Sequence, residues 1–127
     1  MEAATSLGLP ISTRTHEAVV CGVPTQFVLT AYSNRIFVIV TQTQSMGTLI
    51  HAEADNPIEA ASGSFSTRVL LGRRDDEVLE VYARTIIELI SRRNPGAGPL
   101  LLAISVKDHS PEMFRSIVRE VEENRVW

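Results

Sequence analysis

Residues Ile36-Phe37-Val38-Ile39-Val40 are apolar at every position, and Leu100-Leu101-Leu102-Ala103-Ile104 repeats the pattern. Successive side chains of a strand point to opposite sides, so a strand packed on one core alternates apolar with polar. Two strands that do not alternate need cover on both faces. The rest of the chain, or another molecule, must provide it.

The neighbouring segments show how much cover the chain itself carries. Ser12–Val20 passes from polar to apolar and reads as a strand that begins exposed and ends buried. Cys21-Gly22-Val23-Pro24 punctuates it, because Gly permits positive φ and Pro lacks a ladder donor. Thr25–Tyr32 and Arg35–Thr43 are rich in Thr, Val, Ile, Phe and Tyr around Ser33-Asn34, the pattern of a β-hairpin. Thr48–Ala52, Phe65–Leu71 and Leu100–Val106 complete six strands. Residues 53–64 lack apolar periodicity and read as a mobile loop, and residues 1–11 as a loose leader to one domain spanning 1–127.

Helix periodicity appears twice. Val78, Leu79, Tyr82, Ala83, Ile86, Ile87, Leu89 and Ile90 recur at three- and four-residue spacing. Asp75 and Asp76 precede this stripe and Arg92 and Arg93 follow it, matching the helix dipole. Ser110-Pro111 opens the second helix as a cap followed by Pro at the first helical position, ahead of Met113, Phe114, Ile117, Val118 and Val121. The order β-β-β-β-β-α-β-α implies an α+β fold with a mostly antiparallel six-stranded sheet. Two helices cover one face, which leaves the other available for dimerisation. Either Ile36, Val38 and Val40 or Phe37 and Ile39 face the helices; Phe37 and Ile39 are the dimer-face candidates.

Charge supports the same reading. Only Glu2, Arg14, Glu17 and Arg35 carry charge in residues 1–50, against 23 of the 27 charged residues in the remainder. A front half so poor in charge is buried by the back half or by another molecule. The net charge of −3 argues against nucleic acid as a partner, since such modules carry a basic excess. No apolar run approaches the ~20 residues of a spanning helix. No basic segment precedes Leu7-Gly8-Leu9-Pro10-Ile11 to make an export signal, so a cytoplasmic location is expected, with nuclear entry by diffusion, and no membrane partner.

Chemistry is thinly represented. His16, His51 and His109 lie in separate segments without metal-ligand spacing and read as surface or strand-end residues. Cys21 is the only cysteine, and beside a turn it reads as a buried structural thiol rather than the nucleophile of a small hydrolase. No nucleophile elbow or phosphate-binding glycine motif occurs. Asn94-Pro95-Gly96-Ala97-Gly98-Pro99 suits a turn, and Arg73-Arg74 and Arg92-Arg93 suit helix ends. Trp127 could anchor the chain terminus to the body. Catalytic, cofactor-binding and metal-ligating residues are therefore expected to be absent.

Five blocks in register carry a family resemblance: Val19-Val20-Cys21-Gly22-Val23-Pro24-Thr25-Gln26, Val40-Thr41-Gln42, Met46-Gly47-Thr48-Leu49, Arg68-Val69-Leu70-Leu71-Gly72 and Leu101-Leu102-Ala103-Ile104-Ser105-Val106-Lys107-Asp108. With the closing Val126-Trp127 they resemble the proteasome assembly chaperone 3 family from about residue 18 onward. The leader and the 53–64 loop depart from the family pattern. The resemblance implies a non-enzymatic chaperone without nucleotide or metal. It would pair with a related assembly chaperone or self-associate, dock on α-type subunits of the 20S proteasome, and leave as β subunits join. It also implies that the loop contacts proteasome subunits, which makes Glu53, Ala54, Asp55, Asn56, Glu59 and Ser64 the partner-binding candidates. The alternative is a dimeric adaptor of roadblock or longin type.

Overall fold

The structure, a computed structural model, describes residues 12–56 and 63–127. The expected leader, and Glu59 with the rest of 57–62, lie outside the described residues. Strands β1 (Ser12–Val20) and β2 (Val23–Ala31) are antiparallel and joined by Cys21-Gly22. Both turn residues have positive φ, +48° and +80°, as a two-residue hairpin turn matched to strand twist requires. Strand β2 thus begins two residues before the expected Thr25. Pro24 is tolerated because the β2–β3 pairing starts only at Gln26.

Strands β3 (Ile36–Thr41), β4 (Thr48–Ala54) and β5 (Phe65–Leu71) lead into α1 (Glu77–Arg93). A 3₁₀ turn (Pro95–Ala97), β6 (Leu100–Ser105) and α2 (Pro111–Glu123) follow. The sheet runs β1-β2-β3-β6-β4-β5. All neighbours are antiparallel except β3 and β6. Strand β6 therefore separates β3 from β4, although these are consecutive in the chain. Their connection passes the end of β6 at Gly47 (φ +66°), where a Cβ would run into the Ile104 carbonyl oxygen.

Both helices lie on one face. Leu79, Tyr82, Ile86, Ile87 and Ile90 of α1 and Met113, Ile117 and Val121 of α2 share one core with Phe27, Leu29, Ile36, Val38, Val40, Leu100 and Leu102. Each such burial contributes about 1.5–3 kcal/mol. Asp76 caps α1 by accepting from the Val78 amide, and Ser110 caps α2 by accepting from Met113. Arg92 pairs with Glu88 and Arg93 with Glu122, the roles expected of helix-end arginines. Tyr82 sits wholly inside, its ring 4.8 Å from that of Phe114, and burial pushes its hydroxyl pKa up. Val126 and Trp127 pack against the same core, so the indole does anchor the final residues.

Candidate functional site

Among the described residues, no element covers the face of the sheet opposite the helices. Val28 pairs with Ile39, Ile39 with Ala103 and Ala103 with Leu49. One row along, Thr30, Phe37, Leu101, His51 and Arg68 align across β2, β3, β6, β4 and β5. Ile36, Val38 and Val40 are buried under the helices, while Phe37 and Ile39 are half-buried. The open face thus has an apolar centre of Val28, Phe37, Ile39, Leu49 and Leu101, closed over the buried Ala103 and rimmed by Thr13, Thr15, Thr41, Ser105 and Arg68. An apolar centre inside a polar rim is the anatomy of a protein interface.

The segment expected to be a loop begins later than the sequence suggests. Glu53 and Ala54 are the last residues of β4, opposite Ser66 and Phe65 of β5. Their ladder partners lie eleven or more residues away, so local composition does not reveal the strand. Glu53 is in register with the open face. Beyond it, the Asp55 amide donates to the Ser64 carbonyl (2.9 Å) and the Ser64 hydroxyl donates to Asp55 Oδ2 (2.6 Å). The Ser66 hydroxyl donates to Asp55 Oδ1. The Ser64 hydroxyl, then that of Ser66, hold the Asp55 carboxyl below its ordinary pKa, because both bonds favour the charged form. Asp55 and Ser64 therefore come together as a clasp next to Asn56.

Gln42 is the polar residue that sequence reasoning missed. Its side chain is buried just past β3. Its Nε2 donates to Thr25 Oγ1 (3.0 Å) and contacts Met113 Sδ (3.2 Å), while its Oε1 accepts from the Lys107 amide (2.8 Å). One amide thereby ties β2, the chain after β6, and α2 together. In the sequence it shows only as a glutamine just past an apolar run and as the end of the Val40-Thr41-Gln42 block, neither of which reveals its bonding role. Beside it lies a cavity of about 560 Å³ bordered by Glu17, Val19, Pro24, Gln26, Thr41 and Lys107.

Cys21 corrects the expectation of a buried thiol: it is exposed. The two-residue turn carries it past the last β1–β2 pair, out of reach of the core, with Sγ 3.8 Å from Ser116 Oγ. His16 pairs with Glu120 and His109 with Asp76, each at 2.7 Å, tying β1 to α2 and the loop before α2 to the α1 cap. His51 lies on the open face. Among the described residues, no group of three or more His, Cys, Asp or Glu side chains is placed to hold a metal ion.

Comparison with known proteins follows the same lines. The family model for proteasome assembly chaperone 3 matches residues 38–124. A mouse proteasome assembly chaperone 3 is 41% identical over 86% of this chain and 88% of its own length. The human protein of that name is 39% identical over the same shares, and the Nematostella vectensis one is 37% identical over 98% of this chain and 96% of its own. Among solved structures, a chain of a chaperone complex for yeast 20S proteasome assembly superposes with a TM-score of 0.71 at 13% identity. That match covers 89% of this chain and 98% of the other.

Proposed function

We propose a function from one premise: the chain belongs to the proteasome assembly chaperone 3 family. It acts in assembly of the 20S proteasome as a chaperone rather than an enzyme, with no cofactor. It pairs through the open sheet face with a related assembly chaperone, or with a second copy of itself. The pair holds neighbouring α-type subunits of the α-ring and departs as β subunits join. The observation that carries the pairing is the unhelped face centred on Phe37 and Ile39, whose apolar area gains most by meeting a second sheet.

Binding the assembled arrangement better than separate subunits is enough to favour the ring, because a ligand shifts an equilibrium by its differential affinity. Incoming subunits compete for overlapping surface, so release needs no hydrolysis. Glu53, Ala54, Asp55, Asn56, Glu59 and Ser64, at and beyond the end of β4, are the contacts toward α-type subunits, and the work is done in the cytoplasm, with nuclear entry by diffusion.

Tagged chain recovered from cells tests this by mass spectrometry of what comes with it. The expected result is a related chaperone with α-type subunits and few β subunits. Phe37→Asp with Ile39→Asp should lose the chaperone while keeping the circular dichroism of the folded chain. Recovery of GTPases or trafficking proteins instead would favour the adaptor reading. Light scattering that finds only monomer at every concentration of the pure chain would remove self-association and leave pairing with a related chaperone.

A further inference from the structure

The 560 Å³ cavity beside Gln42 lies at the turn end of the open face, away from the apolar centre. Glu17, Gln26, Thr41 and Ser105 align across β1, β2, β3 and β6, and Lys107 follows two residues later. The cavity therefore crosses three strand spacings, about 14 Å at ~4.8 Å each. With a volume of about 560 Å³ it is an open cleft along the strand ends, of a size to receive one extended segment.

The two ends differ in charge. Glu17 stands at the β1 end, where its Oε1 accepts from Gln26 Nε2 (3.3 Å). Lys107 stands at the β6 end, the only lysine of the chain, and its ammonium has no ion-pair partner among the described residues. Val19, 72% exposed, lies two residues beyond Glu17 on β1 and opposite Pro24 of β2, so the two form an apolar floor next to the Glu17 end. The walls are fixed beforehand. Gln42 bonds both Thr25 and the Lys107 backbone, the Cys21-Gly22 turn is tight, and Gln44 holds a positive φ of +61°. A preformed cleft avoids the ordering cost that weakens binding at mobile surfaces.

We infer that this cleft docks an extended segment of a partner protein, with a carboxylate on Lys107, an aliphatic side chain on Val19 and Pro24, and a cation on Glu17. An extended chain rises ~3.3 Å per residue, so the segment's acid and base stand about four residues apart. This goes beyond pairing through Phe37 and Ile39 and does not depend on it.

The probe is a capped peptide, Glu-Thr-Leu-Thr-Arg, whose two charges and leucine share one face when extended, titrated into isotope-labelled chain and followed by NMR. Amide shifts should concentrate at Val19, Gln26, Thr41 and Lys107. Lys107→Glu should weaken binding about fivefold, the scale of one exposed ion pair. Adding Glu17→Arg to it should restore affinity, since the peptide can then lie in the opposite direction. A peptide with serine at both charged positions loses two such pairs and should bind about 25-fold more weakly. Shifts centred on another face, no shifts at millimolar peptide, or affinity indifferent to Lys107→Glu would each overturn the inference. Either of the last two results with the Phe37/Ile39 pairing intact would leave the chaperone reading standing.

Discussion

Replacing Gln42 tests how the cleft end of the molecule is held. Gln42→Ala removes the bonds to Thr25 Oγ1 and from the Lys107 amide and leaves space beside Met113. Each hydrogen bond contributes a net ~1 kcal/mol, and the abandoned amide and lost packing add about as much again, for a cost of about 2–4 kcal/mol. An unfolding entropy of ~2.1 cal/mol/K per residue amounts to about 270 cal/mol/K for 127 residues. The midpoint of thermal unfolding should therefore fall by about 7–15 °C by calorimetry. Gln42→Glu keeps the shape and the acceptor for Lys107 but replaces the donor with a buried carboxylate.

The sign of the pH effect in that variant follows from burial. Desolvation raises the folded-state pKa of the new carboxyl above its unfolded value of ~4.3. The protonated form is then favoured in the folded chain. The penalty is absent below about pH 4, where both states are protonated, and grows as pH rises toward the folded value. The variant should lie within a few degrees of the parent at pH 4 and far below it at pH 7. A drop under 3 °C for Gln42→Ala, or a Gln42→Glu variant as stable as the parent at pH 7, would refute the claim that this amide ties the elements together.

Two further expectations concern the backbone around the open face. The Asp55 clasp has a depressed carboxyl pKa, so its stabilisation is present above the ordinary value of 3.8 and is lost as pH falls through the lower folded value. NMR should show the Ser64 and Ser66 amides shifting in that acid range, and Asp55→Asn should abolish the titration; unchanged shifts in the variant would refute it. Gly47→Ala places a methyl against the Ile104 carbonyl at a positive φ, so denaturant unfolding should show a loss of about 2 kcal/mol or more, and a neutral result would mean that the crossing over β6 is loose.

What the sequence by itself determined is local, or follows from a mismatch between local patterns. Helix stripes, the Ser110 cap, the acidic start of α1 and the strand runs are legible because neighbouring residues carry the signal. Unbroken apolarity in Ile36–Val40 and Leu100–Ile104 showed that one sheet face lacks cover, since two amphipathic helices can bury only one. Strand order and facing belonged to the tertiary structure. Leu100 pairs with Ile36, and β6 inserts between two strands made earlier in the chain, a contact between distant residues that local pattern does not encode. That insertion assigns Phe37 and Ile39 to the open side and places Lys107 across the sheet from Glu17. It also brings the Lys107 amide to Gln42, whose burial only packing from three elements could decide.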